Sequence, residues 1–190
     1  QLIPIFIQIA DIMDQLFWKQ TFGDKKILDT IQDPFMKEFV MINYGPWEQL
    51  NNDKPFVPGF GPKPKGCQYY PIDMTQEEFD AFSDKNKNSL YTVLRRDEAG
   101  KLKVVWYKDE YKEEITKVCE LLDQAIELAE DAGLRNYLIE RKKAFLTDDY
   151  FASDLAWMDM KNSKIDFVVG PIENYDDKYE IKAAYEAFIL

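Results

Sequence analysis

Any chemistry in this sequence has to be done without histidine. None of the 190 residues is one, which removes Ser-His-Asp and Cys-His pairs, a His general base and a His ligand for catalytic zinc. Carboxylates remain, and two groups of them stand out. Asp148, Asp149, Asp154 and Asp159 form the densest run, and helix caps and solvated faces account for most of it. Glu173, Asp176 and Asp177 follow an apolar stretch that runs into Gly170-Pro171. That pattern puts side chains at a sheet rim, where ligands commonly bind, and a carboxylate there suits a cationic group such as a peptide amino terminus. Two-carboxylate hydrolysis is open in principle, but only proximity in sequence pairs these acids.

Other candidate motifs fail on inspection. Gly61-Pro-Lys-Pro-Lys-Gly66 has the glycine spacing of a phosphate loop, yet Cys67-Gln68 replaces Lys-Ser/Thr and two prolines remove amide donors. Gly59-Phe-Gly61 has Pro64 where a dinucleotide fingerprint needs its third glycine. Asp84, Asn86 and Asn88 open like a calcium loop, but Ser89 stands at the glycine position and Arg95 at that of the bidentate glutamate. With 35 acidic against 24 basic residues the net charge is −11, which argues against nucleic acid or an anionic membrane as partner. Cys67 and Cys119 read equally as one disulfide or two free thiols and do not fix the compartment.

The elements that must position these groups are mainly helical. Leu2 to Phe22 carries Leu2, Phe6, Ile9, Met13 and Leu16 on one face, broadened by Ile5, Ile12 and Phe17. Gln8, Asp11 and Asp14 interrupt it too early for a membrane span, and it lacks the basic start of a signal peptide. Gly23 stops it, Asp24 caps a second helix to about Gln32, and Asp33-Pro34 opens a third to about Ile42. Thr75 with Glu77 and Glu78 starts another. Leu90–Arg96 and Leu102–Tyr107 read as a hairpin through Asp97-Glu98-Ala99-Gly100. From Asp109 the period becomes helical, through Tyr111, Ile115, Val118, Leu122, Ile126 and Ala129 to a stop at Gly133; Leu134, Leu138 and Phe145 continue the second arm of a helix pair. Thr147 or Asp148 caps a helix with Phe151, Leu155 and Met158 on one face. Ile165–Ile172 is a buried strand, and the apolar run Ala183–Leu190 ends as though cut within an element, just as Gln1 starts inside a helix.

Between the third helix and Thr75 lies Asn43–Pro71, with six of the nine prolines and four of the eight glycines. Proline bars helix and central strand, while Tyr44, Trp47, Phe56, Phe60, Tyr69 and Tyr70 argue for order. A long ordered loop is either functional or a cover for the core edge.

Four stretches taken in order resemble one family: INYGPWEQLNNDKPFVPGFGPKPKGCQYYP (42–71), SLYTVLRRDEAGKLKVVWY (89–107), TDDYFASDLAWMDMKNSKIDFVVGPIENY (147–175) and KAAYEAFIL (182–190). The family is the dipeptidyl-peptidase III-like zinc metallopeptidases, in the branch found in bacteria and in plant Nudix proteins carrying such a domain; the resemblance runs from about residue 18. It implies a two-lobed, largely helical enzyme that removes dipeptides from peptide amino termini. Its zinc would be held by a His-Glu-x-x-x-His-type helix and a later glutamate, beyond the matched region. This chain therefore resembles the amino-terminal segment, with no catalytic or metal-binding residue of its own, zinc in the full-length enzyme, and a missing C-terminal catalytic lobe and a peptide substrate as partners.

Gly170-Pro171-Ile172-Glu173-Asn174-Tyr175 is similar to the family's Gly-x-Ile-Glu-Ser/Thr-Tyr stretch beside the substrate cleft. Asp166 stands where better-studied members have a glutamate, and Val168 where they have a substrate-contacting tyrosine. The family's Leu-Phe-Gly-Tyr is altered to Tyr179-Glu180-Ile181. Asn43, Tyr44 and Trp47 match the branch's loop pattern. The substrate-binding candidates are thus Glu173, Asp166, Tyr175, Asn43 and Tyr44.

The expected fold is α+β and predominantly helical, a helical lobe with a β-hairpin and an additional C-terminal strand region. Within one lobe, 1–42 is helical, 43–74 the Pro/Gly/aromatic loop, 75–108 helix and hairpin, 109–162 helices and 163–190 the strand region. The expected function is the non-catalytic part of a zinc-dependent exopeptidase, forming a wall of its cleft; the alternative is a standalone binding module that has lost the catalytic lobe.

Overall fold

The computed structural model describes residues 1–190. The first helix, α1 (Leu2–Thr21), is the axis of the core: Phe6, Ile9, Met13 and Leu16 are fully buried and Phe17 nearly so. It closes where the amides of Phe22 and Gly23 both donate to the Trp18 carbonyl, with Gly23 at φ +110, a conformation that glycine enters without a Cβ penalty. The second helix is shorter than its capping signal implies. Asp24 does accept from the Lys26 amide at 2.9 Å, but α2 is only Ile27–Thr30. Ile27 is its one buried residue, and Asp33, preceding a proline, is held extended. The third, α3 (Pro34–Ile42), is capped by Asp33 Oδ1, which takes the Phe35 and Met36 amides at 2.8 and 3.0 Å.

Asn43–Pro71 is ordered without α-helix or central strand; its only regular pieces are a 3-10 turn at Gln49–Asn51 and a two-residue ladder between β1 (Trp47–Glu48) and β2 (Lys54–Pro55). Its aromatics wrap the end of α1. Trp47 packs on Phe22 at 5.6 Å and donates from Nε1 to the Gly61 carbonyl at 2.8 Å, and Phe56 meets Phe39 at 4.6 Å. Tyr69 and Tyr70 enter the main core. At Gly66 a Cβ would lie 2.3 Å from the Tyr70 ring, so this turn admits no larger residue.

Beyond it, α4 (Gln76–Ala81) starts at Thr75, whose hydroxyl accepts from the Glu78 amide. The hairpin of β3 (Thr92–Arg96) and β4 (Leu102–Trp106) is in antiparallel register, Thr92 opposite Trp106 and Arg96 opposite Leu102. Tyr107 leaves the ladder to begin α5 (Tyr107–Glu110), fully buried with its hydroxyl donating to the Ala183 carbonyl at 2.8 Å.

Two helices then pair, α6 (Lys112–Leu128) and α7 (Ala132–Thr147). The expected stop at Gly133 is displaced: the chain turns at Ala129, and Gly133 lies in the first turn of α7. The cause is Asp131, whose carboxylate takes the Leu134 amide at 2.8 Å and fixes the new start upstream of the glycine. The start of α8 (Phe151–Asp159) also differs from expectation. Thr147 belongs to α7, Asp148 ends it at φ +58, and Asp149 accepts from the Phe151 amide. Phe151, Leu155 and Met158 do share a face, and that face is exposed.

The chain ends in the antiparallel pair β5 (Phe167–Glu173) and β6 (Ala184–Ile189). Phe167, Val169 and Tyr185 are wholly buried, and Phe167 stacks on Phe6 of α1 with centroids 4.0 Å apart. The result is an α+β fold dominated by helices, with three separate two-stranded ladders. Both cysteines are free and buried.

Candidate functional site along the last strand pair

Strand β5 sets where the candidate carboxylates stand. Asp166 precedes it, and the backbone of Asp166 exchanges both N–H···O bonds with Leu190 at 2.9 Å. Its Oδ1 accepts from Trp157 Nε1 at 2.8 Å. Around it lies an open pocket of about 330 Å³ walled by Trp157, Met158, Met160, Ser163 and Ile165. A carboxylate in such walls, with one oxygen engaged, keeps strong acceptor capacity for one charged donor.

Glu173 is the last residue of β5, opposite Ala184 after a bulge at Pro171/Glu173. It lies seven residues from Asp166, roughly 23 Å along an extended strand. The two carboxylates therefore do not converge on one ammonium group.

Tyr44 and Tyr175, far apart in sequence, come together around Phe17, with centroids 4.6 and 6.2 Å from its ring. Each hydroxyl donates to a carboxylate, Tyr44 to Asp14 Oδ1 at 2.6 Å and Tyr175 to Glu186 Oε1. Burial pushes the Glu186 carboxyl up; the bond from Tyr175 opposes this, and the neighbouring Glu173 charge adds to it. Asn43 serves the loop: its Nδ2 donates to the Phe39 carbonyl and its Oδ1 accepts from the Gln49 amide. Tyr44 sits at φ +52 just after it. Of the five candidates, Tyr44, Tyr175 and Glu173 fall in one neighbourhood through Glu186. Asn43 supports it, and Asp166 marks the opposite end of the strand.

Asp176 and Asp177 are not at an open rim. Both are 4% exposed. Asp176 pairs with Lys63 Nζ at 2.5 Å and accepts from Thr21 Oγ1 at 2.8 Å, while the Cys67 thiol donates to its carbonyl. Asp177 accepts from the Tyr70 hydroxyl at 2.8 Å and from the amides of Tyr179 and Lys182 at 2.8 and 3.0 Å. Their acceptor capacity is spent tying the proline-rich loop to the β5–β6 connection. Lys182, also buried, donates to the Lys87 and Ser89 carbonyls and to Thr92 Oγ1, and burial pulls its ammonium down to about 8.

Sequence reasoning missed Glu186, Asp14 and Trp157. Glu186 carried a signal, being the single charge within the apolar run Ala183–Leu190. No group of three or more His, Cys, Asp or Glu side chains is placed to hold a metal ion, and no helix is long and apolar enough to cross a membrane.

Comparison with known proteins gives the class of this fold. The model of peptidase family M49 matches residues 70–190, and the chain belongs to that family. Among solved structures, dipeptidyl-peptidase III from Caldithrix abyssi superposes with a TM-score of 0.92 at 40% identity, covering 99% of this chain and 38% of that one. The dipeptidyl-peptidase III of Corallococcus sp. strain EGB gives 0.90 at 33% identity, covering 99% and 38%. Nudix hydrolase 3 of Arabidopsis thaliana is 25% identical over 251 residues, covering 98% of this chain and 32% of that protein. The chain is similar to dipeptidyl-peptidases III and spans about a third of the length of these relatives.

Proposed function

We propose that this chain is the non-catalytic part of a zinc-dependent exopeptidase that releases dipeptides from peptide amino termini, and that it contributes a wall of the substrate cleft. Family membership and likeness to two dipeptidyl-peptidases III support the reading. The residues of this chain do not fit zinc, since it has no histidine and no clustered ligand set. The metal and the reacting groups belong to the remainder of the enzyme. The exposed apolar face of Phe151, Leu155 and Met158 on α8 is the surface on which we place that remainder, because the solved relatives are more than twice as long.

The observation that carries the reading is Asp166. Its half-satisfied carboxylate, at the head of β5 in a pocket with aromatic and thioether walls, suits the α-ammonium of a peptide substrate. In this role it fixes how far the substrate enters, which selects the bond two residues in. In the full-length enzyme Asp166→Asn is expected to raise KM for dipeptidyl arylamides about tenfold, the weight of one charge-assisted hydrogen bond, with kcat little changed. A KM within twofold of wild type overturns this role. A native gene product of this chain's own mass that, supplied with zinc, cleaves no dipeptidyl arylamide sinks the enzyme reading and leaves a standalone binding module.

A further inference from the structure

The far end of β5 holds a second pocket that the cleft-wall reading does not use. It is an open cavity of about 260 Å³ bordered by Tyr91, Arg141, Tyr150, Asp154, Glu173 and Asn174. Its floor is Arg141, a residue only 2% exposed. One nitrogen, Nη2, is bonded, to Asp154 Oδ1 at 2.7 Å, and Nε has no partner. Asp154 is itself 56% exposed, so it compensates this buried charge from the solvent side. A buried guanidinium paired only from the solvent side, with Nε left without a partner, is costly unless an acceptor is supplied. A second carboxylate is the group that its planar fork fits best.

The surrounding backbone is shaped to keep the guanidinium open. Gly170 is at φ +134, and a Cβ there would stand 3.4 Å from both Arg141 Nη1 and Tyr150 Cε1. The Tyr150 and Tyr91 rings lie 4.8 Å apart, and the Arg141 guanidinium sits over the Tyr150 ring at 5.3 Å. At the other side of the cavity is Glu173, half-buried, whose carboxylate makes no hydrogen bond or ion pair within the chain. Gly170 and Glu173 are three residues apart, roughly 10 Å along the strand. An extended dipeptide spans about 7 Å, and the glutamate side chain covers the difference.

We propose that this pocket is a second peptide site that takes a free dipeptide as its zwitterion. The carboxylate lies on Arg141, the ammonium on Glu173, and the peptide backbone runs past Asn174 along the edges of the contacting Tyr91 and Tyr150 rings. One pocket with a buried cation at one side and an unpaired anion at the other selects a ligand carrying both charges over either ion alone. The site lies at the opposite end of β5 from Asp166 and does not depend on the cleft-wall role.

The test uses full-length protein with 15N-labelled arginine, following the Arg141 Nε–Hε resonance during titration with alanyl-alanine. Saturable movement of that resonance is expected. Alanyl-alanine amide, which lacks the carboxylate, and acetyl-alanyl-alanine, which lacks the ammonium, should each bind about tenfold more weakly. Glu173→Gln, on the rim where folding is not at stake, should abolish the penalty for acetylation and keep the penalty for amidation. No movement of Arg141 up to millimolar dipeptide overturns the proposal. So does equal binding of the blocked peptides, or a Glu173→Gln protein that still rejects the acetylated one.

Discussion

Asp176 and Asp166 belong to the same acidic C-terminal region, ten residues apart, and the structure uses them in opposite ways. Asp176 is buried and has an ammonium on one oxygen and a hydroxyl on the other. Asp166 is half-buried, engages one oxygen with an indole N–H, and faces an open pocket. The first closes the molecule on itself, with Lys63 and Thr21 reaching it from the proline-rich loop and from α1. The second keeps capacity for something outside the chain. Residue type and sequence neighbourhood do not separate the two; how far each carboxylate's lone pairs are satisfied does.

The comparison breaks first at Asp176. Replacing it by alanine strands Lys63, whose side chain is 7% exposed and whose next carboxylate, Asp53, lies 3.7 Å away. Removing one partner of a buried pair costs about 3 kcal/mol, so the urea midpoint of Asp176→Ala should fall far enough to leave the loop unfolded in mild denaturant. A midpoint shift equivalent to less than 1 kcal/mol would mean that Asp53 takes over the lysine and that the latch is not a latch.

Asp148 is an intermediate case, buried like Asp176 but satisfied only on one side. Its Oδ2 accepts from the Lys108 amide at 3.1 Å, Oδ1 has no partner, and burial pushes the carboxyl up to about 6. A folded-state value above the unfolded 3.8 means that folding favours the protonated form. The associated stability is fully present below about pH 4 and lost as pH rises through about 6. Asparagine keeps an acceptor for Lys108, tolerates the left-handed backbone at φ +58 and never ionises. Asp148→Asn should therefore match wild type near pH 4 and exceed it by about 1–3 kcal/mol at pH 7. Thermal melts at the two pH values measure this, and a gap that does not widen with pH refutes it.

Much of the fold was legible because local signals and global packing agree. The α1 stripe of Phe6, Ile9, Met13 and Leu16, the Asp33-Pro34 start and the Gly100 turn all appear where the sequence puts them. Two of the misses share a cause, two signals competing within a few residues. Asp131 outranked Gly133 because a cap fixes a start, whereas a glycine merely permits a stop; Asp148 took the left-handed end of α7 and left Asp149 to open α8. At the site, the separation of roughly 23 Å between Asp166 and Glu173 followed from strand spacing once β5 was assigned. The Tyr175–Glu186 bond did not, because it depends on the path of the connection between β5 and β6. Arg141 was hidden in a charged run, Glu140-Arg141-Lys142-Lys143, yet it falls three residues after Leu138 and four before Phe145. Helical phase, not composition, decides which of those charges is buried.

The smallest effect on stability should come from Asp166, the residue proposed to hold the substrate. Asp166→Asn removes no buried ion pair, keeps an oxygen for Trp157 Nε1 and leaves the Leu190 backbone bonds untouched. Its unfolding free energy should stay within about 0.5 kcal/mol of wild type while KM for the free amino terminus rises. A substrate with an acetylated amino terminus, which offers no charge to Asp166, should then be handled equally by both proteins. That pairing is what separates a binding carboxylate from a structural one. If Asp166→Asn loses stability in step with Asp176→Ala, both ends of the region are latches, and the substrate's amino terminus is held by the remainder of the enzyme.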